Sequence, residues 1–459
     1  MMILLFWLLL AGVAQAACGG SSPTWTAAGT TRTDVSDCLT AASPGDTINV
    51  PAGTDTTTWT TTLTITKNIS LIGAGIGQTV ITNSGTDPVQ LDTEEKNQLI
   101  IFSPTTAAGL FRISGFSFNL NNRKGILLLN NSLNPPITNL RIDHNRFYNS
   151  TAWRAAIFVH GVRGVVDSNT FDTMSYPATF GYGNNSFPVG VWDWANFPEL
   201  VWGTANDNIY VEDNTFANVS TAVTNGDEGG RYVMRYNSFS GVDNFPWLDM
   251  HGGGARGQPF PPGIKGTMGG EVYGNTYSAG GYLISHRGGR LAMHHNQGNG
   301  AYNPYDNDGC PAEDKEKINN SYIFQNRVSL SGALIGQISS GGDNCGGVVE
   351  ENATFWLSKT SFNGTVGIGA GTLAARPATC TTGVGYWATN QSTTNLTGMV
   401  GPNPSTPISG TLYKCTSPNT WTTYYTPLAY PHPLRTNPQQ TALDIPPGAP
   451  NPPQNLRVN

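Results

Sequence analysis

The chain has 459 residues, a formal net charge of -6 and only 12% charged residues. An acidic, charge-poor chain of this kind argues against a nucleic-acid partner, because counterion release at phosphates needs a basic surface. Its 55 glycines, with abundant Thr, Asn and Ser, point to many strands and turns and few helices.

At the N-terminus an apolar run from Ile3 to Leu10 leads to Ala14-Gln15-Ala16. A run this short before an A-x-A site reads as a secretory signal spanning residues 1–16, not a membrane span. The mature chain is therefore expected to be soluble, secreted (extracellular or periplasmic), monomeric and free of the membrane. In such a compartment the six cysteines are expected to pair. Their spacing suggests local disulfides Cys18–Cys38, Cys310–Cys345 and Cys380–Cys415. No C-x-x-C pair is present, which argues against zinc.

Asp34-Val35-Ser36-Asp37-Cys38-Leu39 reads as a short helix. After it come the strand-like segments Gly45-Asp46-Thr47-Ile48-Asn49-Val50-Pro51-Ala52-Gly53, then Ile69 to Gly75, then Thr79-Val80-Ile81. This opening resembles that of pectate-lyase-like β-helix proteins, in which a helix caps the first open coil and protects its unpaired edge. The resemblance implies an all-β, single-domain right-handed parallel β-helix over residues 17–383. It says little of function, since that architecture serves hydrolases, lyases and adhesins.

From residue 142 one phrase recurs: an apolar strand, an Asn, one residue, then an aromatic. It stands as Ile142-Asp-His-Asn145-Arg-Phe147, Val166-Asp-Ser-Asn169-Thr-Phe171 and Val211-Glu-Asp-Asn214-Thr-Phe216. It returns at Asn237 with Phe239 and at Asn275 with Tyr277, with weaker copies at Asn296, Asn326 and Asn352. Successive Asn residues are separated by 24, 45, 23, 38, 21, 30 and 26 positions, as in a β-solenoid with loops inserted on some turns. Stacked at about 4.8 Å, these Asn residues can satisfy backbone groups of neighbouring coils, and the aromatics can stack. Residues 384–436, with Tyr386-Trp387, Trp421 and Tyr430-Pro-His432, read as a disulfide-tied segment covering the last coil. Residues 437–459 read as a Pro-rich tail.

The long intervals mark loops, where sites usually sit. The first loop carries Trp192, Trp194 and Trp202, flat rings suited to sugar faces or, alternatively, to packing under their own loop. The second holds Trp247-Leu-Asp249-Met-His251 and Arg256, then Lys265 and Glu271; one coil on come His286, Arg287 and Arg290. So dense a cation cluster in a charge-poor chain suits an anionic polysaccharide, with Arg256, Arg290 and His286 as candidate substrate-binding residues.

Within this cluster Lys265-Gly, Gly274-Asn275-Thr276-Tyr277 and Arg287-Gly288 resemble the chondroitinase B and alginate lyase family. The resemblance implies polyuronide β-elimination, with Lys265 as base and Arg287 stabilising developing charge; His251 is the alternative base. It also implies calcium neutralising the uronate carboxylate, for which Asp249 and Glu271 are the candidate ligands. The segment before Lys265, Gln258-Pro-Phe-Pro-Pro-Gly263, lacks the carboxylates of that family. Over Tyr282 to Arg287, alternate residues face opposite ways, and the resemblance puts Arg287 outward with Ile284 and His286 inside. Two other readings stay open: a glycoside hydrolase using two of the nearby carboxylates, and a non-catalytic glycan-binding or adhesive protein.

Overall fold

The computed structural model describes residues 18–85, 98–130, 133, 136–181, 202–220, 223–226, 229–241, 248–250, 267–278, 281–298, 300–304, 317–328, 332–335, 349–391 and 400–436. These residues are nearly all β, and almost every strand pairing is parallel.

Each repeat contributes strands to long parallel ladders. A first sheet of 13 described strands takes one strand per repeat, among them Leu140–Asp143, Gly164–Asp167, Ile209–Glu212, Arg231–Arg235 and Gly269–Tyr273. A second sheet takes the rest in two ladders. One holds the strand that follows the Asn turn, such as Thr215–Val219; the other holds the next strand, such as Leu248–Met250. The arrangement is consistent with a parallel, solenoid-like stack. Its N-terminal end is covered by helix Arg32–Ala41, whose Val35 and Cys38 join the core.

The recurring phrase has a single structural explanation. Asn145, Asn169, Asn214, Asn237, Asn275, Asn296 and Asn326 are all buried. From Asn169 on, each side-chain oxygen accepts the backbone N–H of the equivalent Asn one repeat earlier, from Asn145 N–H to Asn169 Oδ1 at 3.0 Å through Asn296 N–H to Asn326 Oδ1 at 3.0 Å, while Asn145 Oδ1 accepts Phe116 N–H. The amide nitrogens donate to strand carbonyls such as Val166 O. The residue before each Asn turns the corner with positive φ: His144, Ser168, Asp213, Tyr236, Gly274, His295 and Gln325 lie between +52° and +67°. A non-glycine residue there costs roughly 1–2 kcal/mol, and the Asn hydrogen bonds offset it. Inside, Phe147, Phe171, Phe216, Phe239 and Tyr277 stack at centroid spacings of 4.7 to 5.2 Å. Asn352 departs from the expected series: it lies before strand Phe355–Leu357 and accepts Gly367 N–H instead.

Cys18–Cys38 and Cys380–Cys415 are disulfides; Cys310 and Cys345 lie outside the described residues. The signal peptide expected over residues 1–16 and the tail expected from residue 437 also lie outside them. Among the described residues no helix is long and apolar enough to cross a membrane, and with the disulfides this is compatible with an extracellular protein.

The C-terminal segment does more than cover one end. Its strands Gly385–Ala388, Thr411–Ser417 and Thr420–Tyr425 pack on the outer face of the first sheet, where Trp387, Leu412 and Tyr425 form a second apolar cluster with Tyr210, Val233, Ala292 and Tyr322. The chain then runs back along that face: Ile408 N–H donates to Tyr236 OH, His432 N–H to Glu212, and Arg435 reaches Asp167.

Candidate functional site

Four short strands of the second sheet, Thr224–Gly226, Leu248–Met250, Gly281–His286 and Gly300–Pro304, stand side by side in parallel register. Alternation sends Leu248, Met250, Ile284 and Tyr302 into the core, all 0% exposed. The same alternation turns Asn225, Asp249, Ser285 and Asn303 away from the core in one row, because register pairs each with the next; Asn225 and Asp249 are half-buried, Ser285 and Asn303 buried. Neighbours in such a row are about 4.8 Å apart.

Arg287 emerges at the end of its strand, its backbone N–H held by Met250 O at 3.0 Å. Its guanidinium donates two hydrogen bonds to Asp249, Nε to Oδ1 at 2.9 Å and Nη2 to Oδ2 at 2.5 Å. The pair is largely buried, with side chains 9% and 13% accessible. Paired fork-to-fork, a guanidinium presents a rigid, oriented positive edge.

The other expected site residues divide. His286 is buried: Tyr302 OH donates to its Nδ1 at 2.8 Å, and its Nε2–H donates to Gly289 O at 3.0 Å. Burial lowers its pKa to about 4, so it is a neutral core residue, on the inner side that the lyase resemblance implies and not on the outer face where a substrate-binding role would need it. Arg290 lies beyond the turn on the first sheet, where it donates to Asn319 Oδ1 at 3.1 Å. Trp202 packs edge-on against Tyr424 and Tyr425 beneath the C-terminal segment, the packing alternative for that ring. Lys265, His251, Arg256, Trp192 and Trp194 lie outside the described residues.

Glu271 sits in the first sheet, its neighbours in register being Val233 and Ala292. It is buried under the C-terminal segment, accepts Gly203 N–H at 2.8 Å, and is pushed up to about 7 by burial. Asp249 and Glu271 therefore belong to different sheets and do not form one cation site. Asp249 is already neutralised by Arg287, and among the described residues no group of three or more His, Cys, Asp or Glu could hold a metal ion. The expected calcium ligand set does not fit.

A second charged assembly was not anticipated. On the outer face of the first sheet Asp143, Asp167 and Glu212 are neighbours in register, all 0% exposed. Arg112 holds Asp143, Arg141 holds Asp167, and Arg235 holds Glu212. Arg435 comes in from the C-terminal segment to Asp167, Glu212 and Asp213. Burial pushes Glu212 up, but Arg235 and Arg435 overcome it and hold it down at about 2. Each of these three acids stands two residues before a ladder Asn, so the repeat itself carried the signal.

Comparison with protein-family models, curated proteins and solved structures finds no match for this chain.

Proposed function

We propose that the chain is a secreted right-handed parallel β-helix protein that binds an acidic, uronate-containing polysaccharide and cleaves it by β-elimination. The observation that carries this reading is the outward Arg287–Asp249 pair within the polar row Asn225, Asp249, Ser285 and Asn303. A row of polar groups repeating at about 4.8 Å along a flat sheet suits an extended polymer better than a compact ligand.

In the reaction a base removes the proton α to the uronate carboxylate, the bond from the β-carbon to the glycosidic oxygen breaks, and a carbon–carbon double bond forms. The departing oxygen takes up a proton. The enolate-like charge that builds on the carboxylate needs fixed, oriented hydrogen-bond donors, the role this reading gives Arg287 as held in place by Asp249. Lys265 is the candidate base and His251 the alternative. No step is drawn through calcium. A hydrolase instead needs two carboxylates flanking the bond, and Asp249 is the one carboxylate in the described row.

Incubating the protein with a panel of polyuronides tests the proposal. Rising ultraviolet absorbance from the unsaturated product supports a lyase. New reducing ends without that absorbance would establish a hydrolase, and retention of polymer with neither signal a binding protein.

A further inference from the structure

A cavity of 540 Å³ opens at the corner where the first sheet turns into the second, between the repeat turns and the returning C-terminal segment. Its volume falls in the range of about 300–1,000 Å³ usual for small-molecule sites. Arg141, Asn169 and Asp213 form a buried floor, and His144, Thr215 and Asn403 an exposed rim. We infer that this cavity binds a small hydroxylated carboxylate, a single sugar acid or the end of a sugar-acid chain.

The ion pairs around the cavity balance one another. Arg112, Arg141, Arg235 and Arg435 are matched by Asp143, Asp167, Glu212 and Asp213. The imidazole of His144, when protonated, is the cation left over. Asp143 Oδ2 binds its Nδ1 at 2.8 Å, fixing the ring at the cavity rim. The groups facing it are Asp143 and Arg141 on its own strand, Asp167 on the next, and Arg435 from the C-terminal segment. The hydrogen bond from Asp143 raises its pKa above that of a free imidazole, which favours the imidazolium.

The hydroxyl argument is independent of charge. His144 Nε2, the hydroxyls of Thr170 and Thr215 and the side-chain amide of Asn403 line the same cavity and make no hydrogen bond within the described protein. These groups offer one charged donor for a carboxylate and three polar groups for hydroxyls. Arg141 and Asp213 are committed to the ion pairs below, which makes the floor rigid. The inference does not rest on the lyase reading, because the Asp249–Arg287 row lies on another ladder of the second sheet.

The test is calorimetric titration of the full chain with D-galacturonate, with the histidine ring protons followed by NMR, and with galactose as the neutral comparator. We expect saturable binding with Kd on the order of millimolar, movement of the His144 signals, and about tenfold or weaker binding of galactose. Binding should fade as pH rises through the His144 titration. His144→Asn keeps a residue that tolerates positive φ and should weaken binding about tenfold or more, whereas Arg287→Ala should leave it unchanged. Equal affinity for a galacturonate trimer supports recognition of a chain end. Binding of the trimer alone, equal binding of galactose, unaltered binding by a folded His144→Asn variant, or no saturation with the wild-type chain would each overturn the inference.

Discussion

Arg287 grips Asp249 across two neighbouring strands through parallel hydrogen bonds of 2.9 and 2.5 Å, at the rim of a sheet whose other side is fully packed. Because the pair is not fully buried, its removal should separate activity from stability. Arg287→Ala leaves Asp249 near solvent, so the unfolding free energy should fall by about 1–2 kcal/mol, below the 3–5 kcal/mol of a fully buried pair. Polyuronide cleavage should fall by about a hundredfold or more. Arg287→Lys keeps the charge but loses the fork and should recover part of the rate. Urea melts and initial rates check this; unchanged rates in both variants would remove the site from this face.

The Asn ladder makes a prediction by contrast. Asn214 accepts from Asn169 N–H and donates to Val166 O and Glu212 O, all buried. Asn214→Ala strands those groups and should cost about 2–4 kcal/mol, since each unsatisfied buried group costs about 1–3 kcal/mol. Asn352 lies off the ladder with one bond to Gly367 N–H and a φ of +67° that glycine adopts freely, and Asn352→Gly should cost under about 1 kcal/mol. Equal denaturation midpoints for the two variants would mean that the ladder is not what holds the repeats.

The repeats were legible because every copy of Asn and Phe performs the same local task, so the phrase survives loops of any length between copies. The acids Asp143, Asp167 and Glu212 were written in the same phrase, yet nothing local says that a distant segment covers them. Arg435 reaches Asp167 from the far end of the chain, and no periodicity encodes that contact. For the same reason the sequence does not show that Glu271 is buried, and Trp202 partly buried, against that segment. At His286 and Arg287 the difficulty was parity: both are polar, one step apart, and apolar residues occupy both alternations of that strand. The family resemblance implied His286 inside, and the register with Leu248–Met250 places it there.

Arg435 should act as the latch of the returning segment. It meets Asp167, Glu212 and Asp213 at once, and Tyr430 OH adds a bond to Asp213 at 2.6 Å. Arg435→Ala leaves clustered buried carboxylates without that cation and should cost about 3–5 kcal/mol. The loss should appear first as protease sensitivity around residues 400–436, before the stack itself unfolds. Simultaneous cleavage of the stack and the segment would show that the two unfold as one unit.

Glu271 gives the stability a pH dependence of unusual sign. Burial raises its carboxyl from 4.5 to about 7, so the folded chain keeps a proton that the unfolded chain has released. Between those two values the folded state binds more protons, and stability must fall as pH rises. A difference of this size corresponds to about 3 kcal/mol lost by pH 8. Glu212, held at about 2, acts oppositely and only in strong acid, where its protonation removes stability. Glu271→Gln keeps the shape without the titration: it should change little at pH 5 and stabilise the chain by up to about 3 kcal/mol at pH 8. Urea melts of both proteins at the two pH values decide the matter. If the wild-type chain and Glu271→Gln lose stability in parallel from pH 5 to 8, the dependence comes from another group and Glu271 is ionised in its buried seat.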